Sequence, residues 1–378
     1  MHRIAVMALA LVASAGLAVP AGAATKGPAA GKSVRIGVIA DVTGGAGVYG
    51  TAQKNAYELA NDDVKSGKLD AGGANLTFDV QDAASDPAQV VNLMQRFITD
   101  GQTALVLGPT LSSEAFRAFP LAARANFPVL GTSTTAEGVT ALGTSVFRNS
   151  LAESQVIPTT VQRTHTKWHY KTAAVIYGDD NAFTKTDGDI FAAELKKAGV
   201  SVVDTETFHQ KDTDFQAALT RIASKHPNVI AIGALFPEAT KIIAQAGKLG
   251  IKTHMIGGNG LNSPEMYSVA GPAAVGTVVG AAWYSDAKYP SNVDFVKRYT
   301  AKYGKAPDQF SAQSYAAAQV VAYLVAHGAT TKEQMLTALK NVKVVQTVLG
   351  PIGFDPNRDV KSAPVMLEIV KGGFAYFH

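Results

Sequence analysis

Two hydroxyl-rich runs are the residues best suited to do chemistry in this chain. Gly108-Pro109-Thr110-Leu111-Ser112-Ser113 follows the apolar run 104–107, and Gly131-Thr132-Ser133-Thr134-Thr135 follows Pro128-Val129-Leu130. In an open parallel sheet, ligands bind beyond the carboxyl ends of the strands, where both runs would lie. The first also leads into a helical pattern over 113–125. Hydroxyls and unpaired helix N-terminal N–H groups together suit a carboxylate, through charge-assisted hydrogen bonds and a favourable dipole. The same serines and threonines could equally cap turns. Phe183, Leu235, Phe236 and Trp283 stand at comparable ends in the second half of the chain. A polar clamp facing an apolar wall describes a pocket for a small amphipathic acid.

Other candidate chemistries fail on spacing. Gly45-Ala46-Gly47-Val48-Tyr49-Gly50 fits G-x-G-x-x-G, but Asp79 and Asp82 stand too far downstream for the ribose carboxylate of a dinucleotide site. Gly27 to Ser33 has one residue too few for a phosphate loop and precedes the first strand. His165 and His169 are four apart without a third ligand nearby, and Gly178-Asp179-Asp180-Asn181 lacks a calcium loop's glutamate. Asp212 and Asp214 read as a helix start. No G-x-S-x-G elbow occurs, and with no cysteine, thiol catalysis, disulfides and Cys-ligated metals are excluded. A non-enzymatic protein without cofactor or metal is expected.

These loops need a scaffold of alternating strands and helices. Val34–Ala40 reads as a buried strand, then a glycine-rich loop and a helix near 51–64. Strand 76–80 follows, then a helix opened by Asp86-Pro87, strand 104–107, helix 113–125 and strand 128–130. A second series starts after Val146-Phe147-Arg148, with helices near 153–164, 183–198, 214–225 and 238–249. Its strands are expected near 172–176, 200–205, 229–232 and 254–256. A strand at 275–281, helices at 293–303 and 310–327, and terminal strands near 344–352 and 364–370 complete the pattern. Short apolar strands between helices imply parallel sheets covered on both faces, here α/β in two Rossmann-like lobes.

The chain has 378 residues, beyond the size at which one core usually stops growing. Charged residues make up 17% of it, with a net charge of +4 and no basic block, which disfavours a nucleic-acid partner. Met1-His2-Arg3, the apolar run Ile4–Val19, Pro20 and the small residues Ala21-Gly22-Ala23 have the layout of an export signal cleaved near Ala23. Residues 24–33 would form a flexible leader. No later stretch has the length of a membrane span, so an exported protein in the periplasm is expected.

Ile36-Gly37-Val38 through Gly44, Tyr49-Gly50, and Asp82-Ala83-Ala84-Ser85-Asp86-Pro87 stand in a distinctive order and spacing. In them the chain resembles the periplasmic solute-binding proteins of branched-chain amino-acid ABC importers, the type I periplasmic-binding fold, and the likeness runs on. Leu107-Gly108-Pro109, Phe147-Arg148-Asn149, Pro237-Glu238-Ala239 and Ile256-Gly257-Gly258-Asn259-Gly260 continue it in order, so that it spans 34–370. It implies lobe one over 34–149 and 282–345, lobe two over 150–281 and 346–378, three crossings, and a ligand cleft between the lobes. It further implies hinged closure on one solute and delivery to an inner-membrane permease with ATPase subunits. The helical patterns offer no clear dimer patch, so a monomer is expected. A ligand-sensing module for a membrane receptor would use the same fold.

By the same resemblance, Tyr49 is the aromatic at the cleft mouth, and Ser112, Ser133 and Thr135 hold the ligand's carboxylate and amine. Phe183 and Leu235 occupy positions that are often aromatic in the family, packing on the ligand's side chain. Ser113, Thr134, Phe236 and Trp283 are secondary candidates. Asn259 departs from the family, whose amino-acid binders carry Asp or Glu there to neutralise the ligand's ammonium. Burying an ammonium without its anion is costly. The expected solute is therefore an apolar or aromatic organic acid, with an amino acid as the alternative if another acid replaces the missing one.

Overall fold

A computed structural model describes residues 27–288 and 290–378, so the expected export segment and the first three residues of the expected leader lie outside the described residues. The rest of that leader is an ordered turn, since Ala29 is buried in lobe one's core and the Gly31 N–H is donated to the Gly73 carbonyl. Lobe one begins with β1 (Ser33–Ala40), α1 (Gly47–Lys65), β2 (Asn75–Asp82), α2 (Pro87–Thr99) and β3 (Thr103–Leu107). It continues with α3 (Ser112–Arg124), β4 (Val129–Gly131) and β5 (Val146–Arg148). The five strands form one parallel sheet in the order β2-β1-β3-β4-β5. Asp86 caps α2 by accepting from the Ala88 N–H, with Pro87 at the first helical position, where a missing N–H costs nothing.

Lobe two repeats the plan with α4 (Glu153–Trp168), β6 (Thr172–Gly178), α5 (Ala182–Lys197), β7 (Ser201–Phe208), α6 (Gln216–Ser224) and β8 (Val229–Gly233). Next come α7 (Phe236–Lys248), β9 (His254–Gly257), α8 (Met266–Ala270) and β10 (Val278–Ala281). The parallel order is β7-β6-β8-β9-β10, extended by two antiparallel strands, β13 (Val365–Val370) and β14 (Gly373–Tyr376). In both sheets the first strand of the series lies inside the order, so the sheet grows first to one side and then to the other. The crevice for a ligand opens at that reversal, beyond the carboxyl ends.

Between β10 and β13 the chain returns to lobe one as α9 (Pro290–Tyr303), α10 (Gln309–Ala326), α11 (Lys332–Asn341) and the hairpin β11 (Val345–Thr347) and β12 (Gly350–Ile352). Helix α10 is apolar almost all round and is buried against α1. Val348, Ile352 and Val360 join lobe one's core, so the last crossing falls after 360, later than the expected 345/346 boundary. Trp283 also belongs to that core, packed edge-on against Phe295 with its indole N–H donated to Asn292. It therefore stands away from the expected apolar wall of the cleft. Helix α11 and strand β14 escape the sequence pattern, and the expected single strand over 344–352 is a tight hairpin turning near Gly350.

Candidate functional site

The cleft lies where the two sets of strand ends face each other. Thr110, Leu111, Ser112, Ser133 and Thr135 line it from lobe one, with Tyr49 from α1 and Phe310 from α10. Phe183, Leu235, Asn259 and Gly260 line it from lobe two. All seven primary candidates from the sequence thus meet in one place. Ser113 sits just outside the lining and accepts a 3.5 Å hydrogen bond from Asn181 of lobe two. Phe236 is buried beside the cleft, contributing its backbone N–H, while Thr134 faces inward and is fully buried.

The lobes are closed. The Tyr49 hydroxyl donates to the Gly260 carbonyl at 2.8 Å and accepts the Phe236 N–H at 2.6 Å, both across the cleft. Burial pushes the Tyr49 phenol well above its ordinary pKa, so it remains a hydrogen-bond donor throughout the physiological range. Its ring centroid lies 4.4 Å from that of Phe310. Gly260 is required here, because a Cβ would come within 2.4 Å of the Ala234 carbonyl and 2.8 Å of the Phe183 ring. Lys305 and Glu265 add an exposed cross-lobe ion pair at 3.0 Å. The remaining cavity is only about 20 Å³, room for about one water molecule, so any larger solute must part the lobes to enter. A larger groove of about 580 Å³ runs along the opposite ends of β1, β2 and β3, where Arg35 is already paired with Asp79 and Asp100.

The hydroxyls are held by a network the sequence did not reveal. Gln53, one turn after Tyr49, donates to Ser133 Oγ at 2.9 Å and accepts from Thr110 Oγ1 at 2.6 Å, joining the two loops. Ser133 donates its own proton to the Thr110 carbonyl at 2.7 Å. Ser112 Oγ accepts the Ala136 N–H at 3.1 Å, leaving its proton free to point at a ligand. Ser112 opens α3, whose first-turn N–H groups have no intrahelical partners. Glu114 reaches back to accept the Leu111 N–H at 3.0 Å. Burial and the neighbouring Asp41 charge raise its pKa to about 9, so it is protonated at neutral pH.

Asn259 is committed to the protein. Its amide nitrogen donates to the Leu151 carbonyl at 3.4 Å, and its side-chain oxygen accepts from Gln309 at 3.0 Å. Beside it stands an acid that spacing could not locate. Glu153 Oε1 accepts from Thr135 Oγ1 at 3.1 Å and from the Asn259 N–H at 3.3 Å. Glu153 and Asp187 are both wholly buried. Glu153 Oε2 and both Asp187 oxygens have no hydrogen-bond partner among the described residues. A Cβ on Gly258 would fall 2.6 Å from Glu153 Oε2 and 3.1 Å from Asp187 Oδ2, so the glycine makes room for both. Burial raises both carboxyls, Glu153 to about 7, with Arg148 acting against the rise there and the Glu153 charge adding to it at Asp187.

This geometry is that of a two-lobed solute receptor with a hydroxyl clamp facing an apolar wall. The chain matches the profile described as "Periplasmic binding protein" over residues 33–373 and belongs to that family, with the type I fold. It is 29% identical over 341 residues to the Leu/Ile/Val-binding protein BraC3 of Rhizobium johnstonii, covering 89% of this chain and 91% of that protein. Among solved structures it is similar to the branched-chain amino-acid transporter substrate-binding protein LivJ from Streptococcus pneumoniae in complex with isoleucine. There the TM-score is 0.84 at 25% identity, over 91% of this chain and 98% of that one. A solute-binding protein of an R. palustris ABC transporter in complex with benzoate shares the fold at TM-score 0.82 and 22% identity, over 91% and 95% of the two chains. The family is one of transporter solute-binding proteins, not enzymes. No helix among the described residues is long and apolar enough to cross a membrane.

Proposed function

We propose that this protein captures a small carboxylate with an apolar body by closing its lobes, and delivers it to an inner-membrane permease with its ATPase subunits, acting as a monomer. One arrangement carries the reading: the Ser112 hydroxyl and the start of α3 face Phe183 and Leu235 across a cleft latched by Tyr49. A carboxylate would take the Ser112 proton and the α3 N–H groups, while the apolar body would pack on Phe183, Leu235 and Phe310.

Whether the solute carries an amine divides two chemistries. The neutral Asn259, spent on Leu151 and Gln309, supports an apolar or aromatic organic acid. Glu153 behind Thr135 supports an amino acid, in keeping with the names of the curated relatives. The test is calorimetric titration of the ligand-stripped protein with leucine, 4-methylpentanoate and benzoate. Saturable binding of at least one supports carboxylate capture, and binding of none refutes it. Delivery to a permease, as against signalling to a receptor, is read from solute-stimulated ATPase activity when this protein is added to a membrane importer reconstituted in vesicles.

A further inference from the structure

We infer that a second cavity, walled by both lobes and separate from the cleft, binds a small organic cation, a protonated amine on an aromatic body, and that its occupant favours the closed form. This goes beyond carboxylate capture and does not depend on what the cleft holds.

The second cavity has a volume of about 280 Å³. Lobe two contributes Asn262 and Pro264 from the segment after β9, and Phe374 with the turn that joins β13 to β14. Lobe one contributes Pro307 and Asp308, which immediately precede α10. Trp283 and Tyr284 line it from the crossing, so the indole missing from the cleft stands here instead. No residue lines both cavities.

Asp308 gives this cavity its charge. The residue is 9% exposed, and Oδ1 caps α10 by accepting the Ser311 N–H and hydroxyl, each at 2.8 Å. Its other oxygen takes no hydrogen bond among the described residues and is left to the cavity. Burial lifts the carboxyl only to about 6, so it is ionised at neutral pH. A half-spent carboxylate held out of water calls for a cation. Trp283, Tyr284 and Phe374 supply aromatic surface, which attracts an ammonium and packs on an apolar body. The Asn262 amide nitrogen is buried without a partner among the described residues, and a hydroxyl on the ligand would satisfy it. The competing cations are weak: Lys305 is paired with Glu265, and Lys371 is exposed, where solvent screens it.

The walls belong to different lobes, so parting the lobes separates Pro264 from Pro307 and dismantles the site. The Glu265–Lys305 ion pair crosses the same seam one residue away. An occupant therefore prefers the closed form. By linkage it raises the cleft's affinity for its own solute, and the solute raises the occupant's affinity by the same factor.

The experiment titrates wild type, Asp308→Asn and Phe374→Ala by calorimetry with tyramine, and with 4-ethylphenol as the same body without the amine. Asp308→Asn keeps an acceptor for the Ser311 N–H and removes the charge. Wild type should bind tyramine saturably and 4-ethylphenol at least about tenfold more weakly, and tyramine alone should reduce its radius of gyration in scattering. Both variants should weaken tyramine at least about tenfold, and Phe374→Ala serves alone if Asp308→Asn does not fold. A carboxylate that binds the cleft should bind more tightly in saturating tyramine. Absence of saturable tyramine binding, equal binding of 4-ethylphenol, unchanged affinity in the variants, an unchanged radius, or competition between tyramine and a cleft carboxylate overturns the inference. None of those results touches carboxylate capture. If no carboxylate binds the cleft, that reading fails alone, and the tyramine titrations still decide this one.

Discussion

The hydroxyl oxygen of Tyr49 lies 2.6 Å from the backbone nitrogen of Phe236, on the far side of the cleft. Tyr49 stands in the first turn of α1 in lobe one and Phe236 opens α7 in lobe two. This bond, with that to the Gly260 carbonyl, exists only when the lobes meet. The residue at the mouth is thus also the latch, and ligand affinity is coupled to how often the latch is made.

Tyr49→Phe keeps the ring against Phe310 and removes the latch. It leaves the Phe236 N–H without a partner in the closed state, which costs about 1–3 kcal/mol. The closed population and apparent ligand affinity should fall by roughly tenfold, with thermal stability of the separate lobes little changed. Small-angle scattering would show a larger radius of gyration for the ligand-free variant than for the wild type. An unchanged radius and affinity would show that Tyr49 does not hold the lobes.

Glu114 predicts a pH dependence. Its pKa rises from an ordinary 4.5 to about 9 in the folded protein, with burial the main cause. Folding therefore takes up a proton between those values. The contribution to stability is fully present below about pH 4.5 and is lost as pH climbs toward 9. Glu114→Gln, which can still accept the Leu111 N–H, should flatten the fall in urea-unfolding free energy between pH 6 and 9. A wild-type slope retained in the variant would refute this assignment.

Arg148 is almost wholly buried and holds Asp359 through two parallel hydrogen bonds while donating to the carbonyls of Thr134 and Ala136. It ties the segment before the last crossing to the Ser133–Thr135 loop. Asp359→Asn leaves a buried guanidinium without its anion, at a cost of about 3 kcal/mol. Because the same loop faces the ligand, affinity should fall along with the urea midpoint. A stability loss under about 0.5 kcal/mol would mean that Arg148 finds another partner.

Asn259→Asp would place an acid at the position where the family resemblance leads one to expect it. Beside Glu153 and Asp187 it makes a third buried carboxyl and replaces a donor to the Leu151 carbonyl with an acceptor. The expected outcome is destabilisation by about 1–3 kcal/mol and no gain in leucine affinity at neutral pH. A gain would show that Asn259, not Glu153, decides the amine question.

The alternating elements and the hydroxyl loops were readable because those features are local, whereas Tyr49 and Asn259 were pointed to only by the family resemblance, and Phe310 of the lining by neither. Strands 34–40, 104–107 and 229–232 are short apolar runs bounded by turns, and the hydroxyl loops follow directly from them. Gln53 was invisible because nothing in a helical stretch says which polar residue turns toward another loop. Glu153 and Asp187 read as ordinary helix acids, and only the placing of Gly258 against both carboxyls sets them behind Asn259. Trp283 was misplaced because position at a strand end does not fix the direction of a side chain, and its indole had a partner in Asn292. Helix α11 is short and weakly patterned, and α10 and lobe one's sheet stabilise it by packing.

The most direct test of the account is a thermal-shift and calorimetric titration of the ligand-stripped protein with leucine, 4-methylpentanoate and benzoate, followed by scattering on the saturated sample. At least one of these carboxylates should bind and reduce the radius of gyration, and a micromolar ligand at millimolar concentration should add about 4 kcal/mol of apparent stability. If none of the three raises the melting temperature or closes the lobes, the cleft between Ser112 and Phe183 is not a carboxylate site and the central claim is wrong.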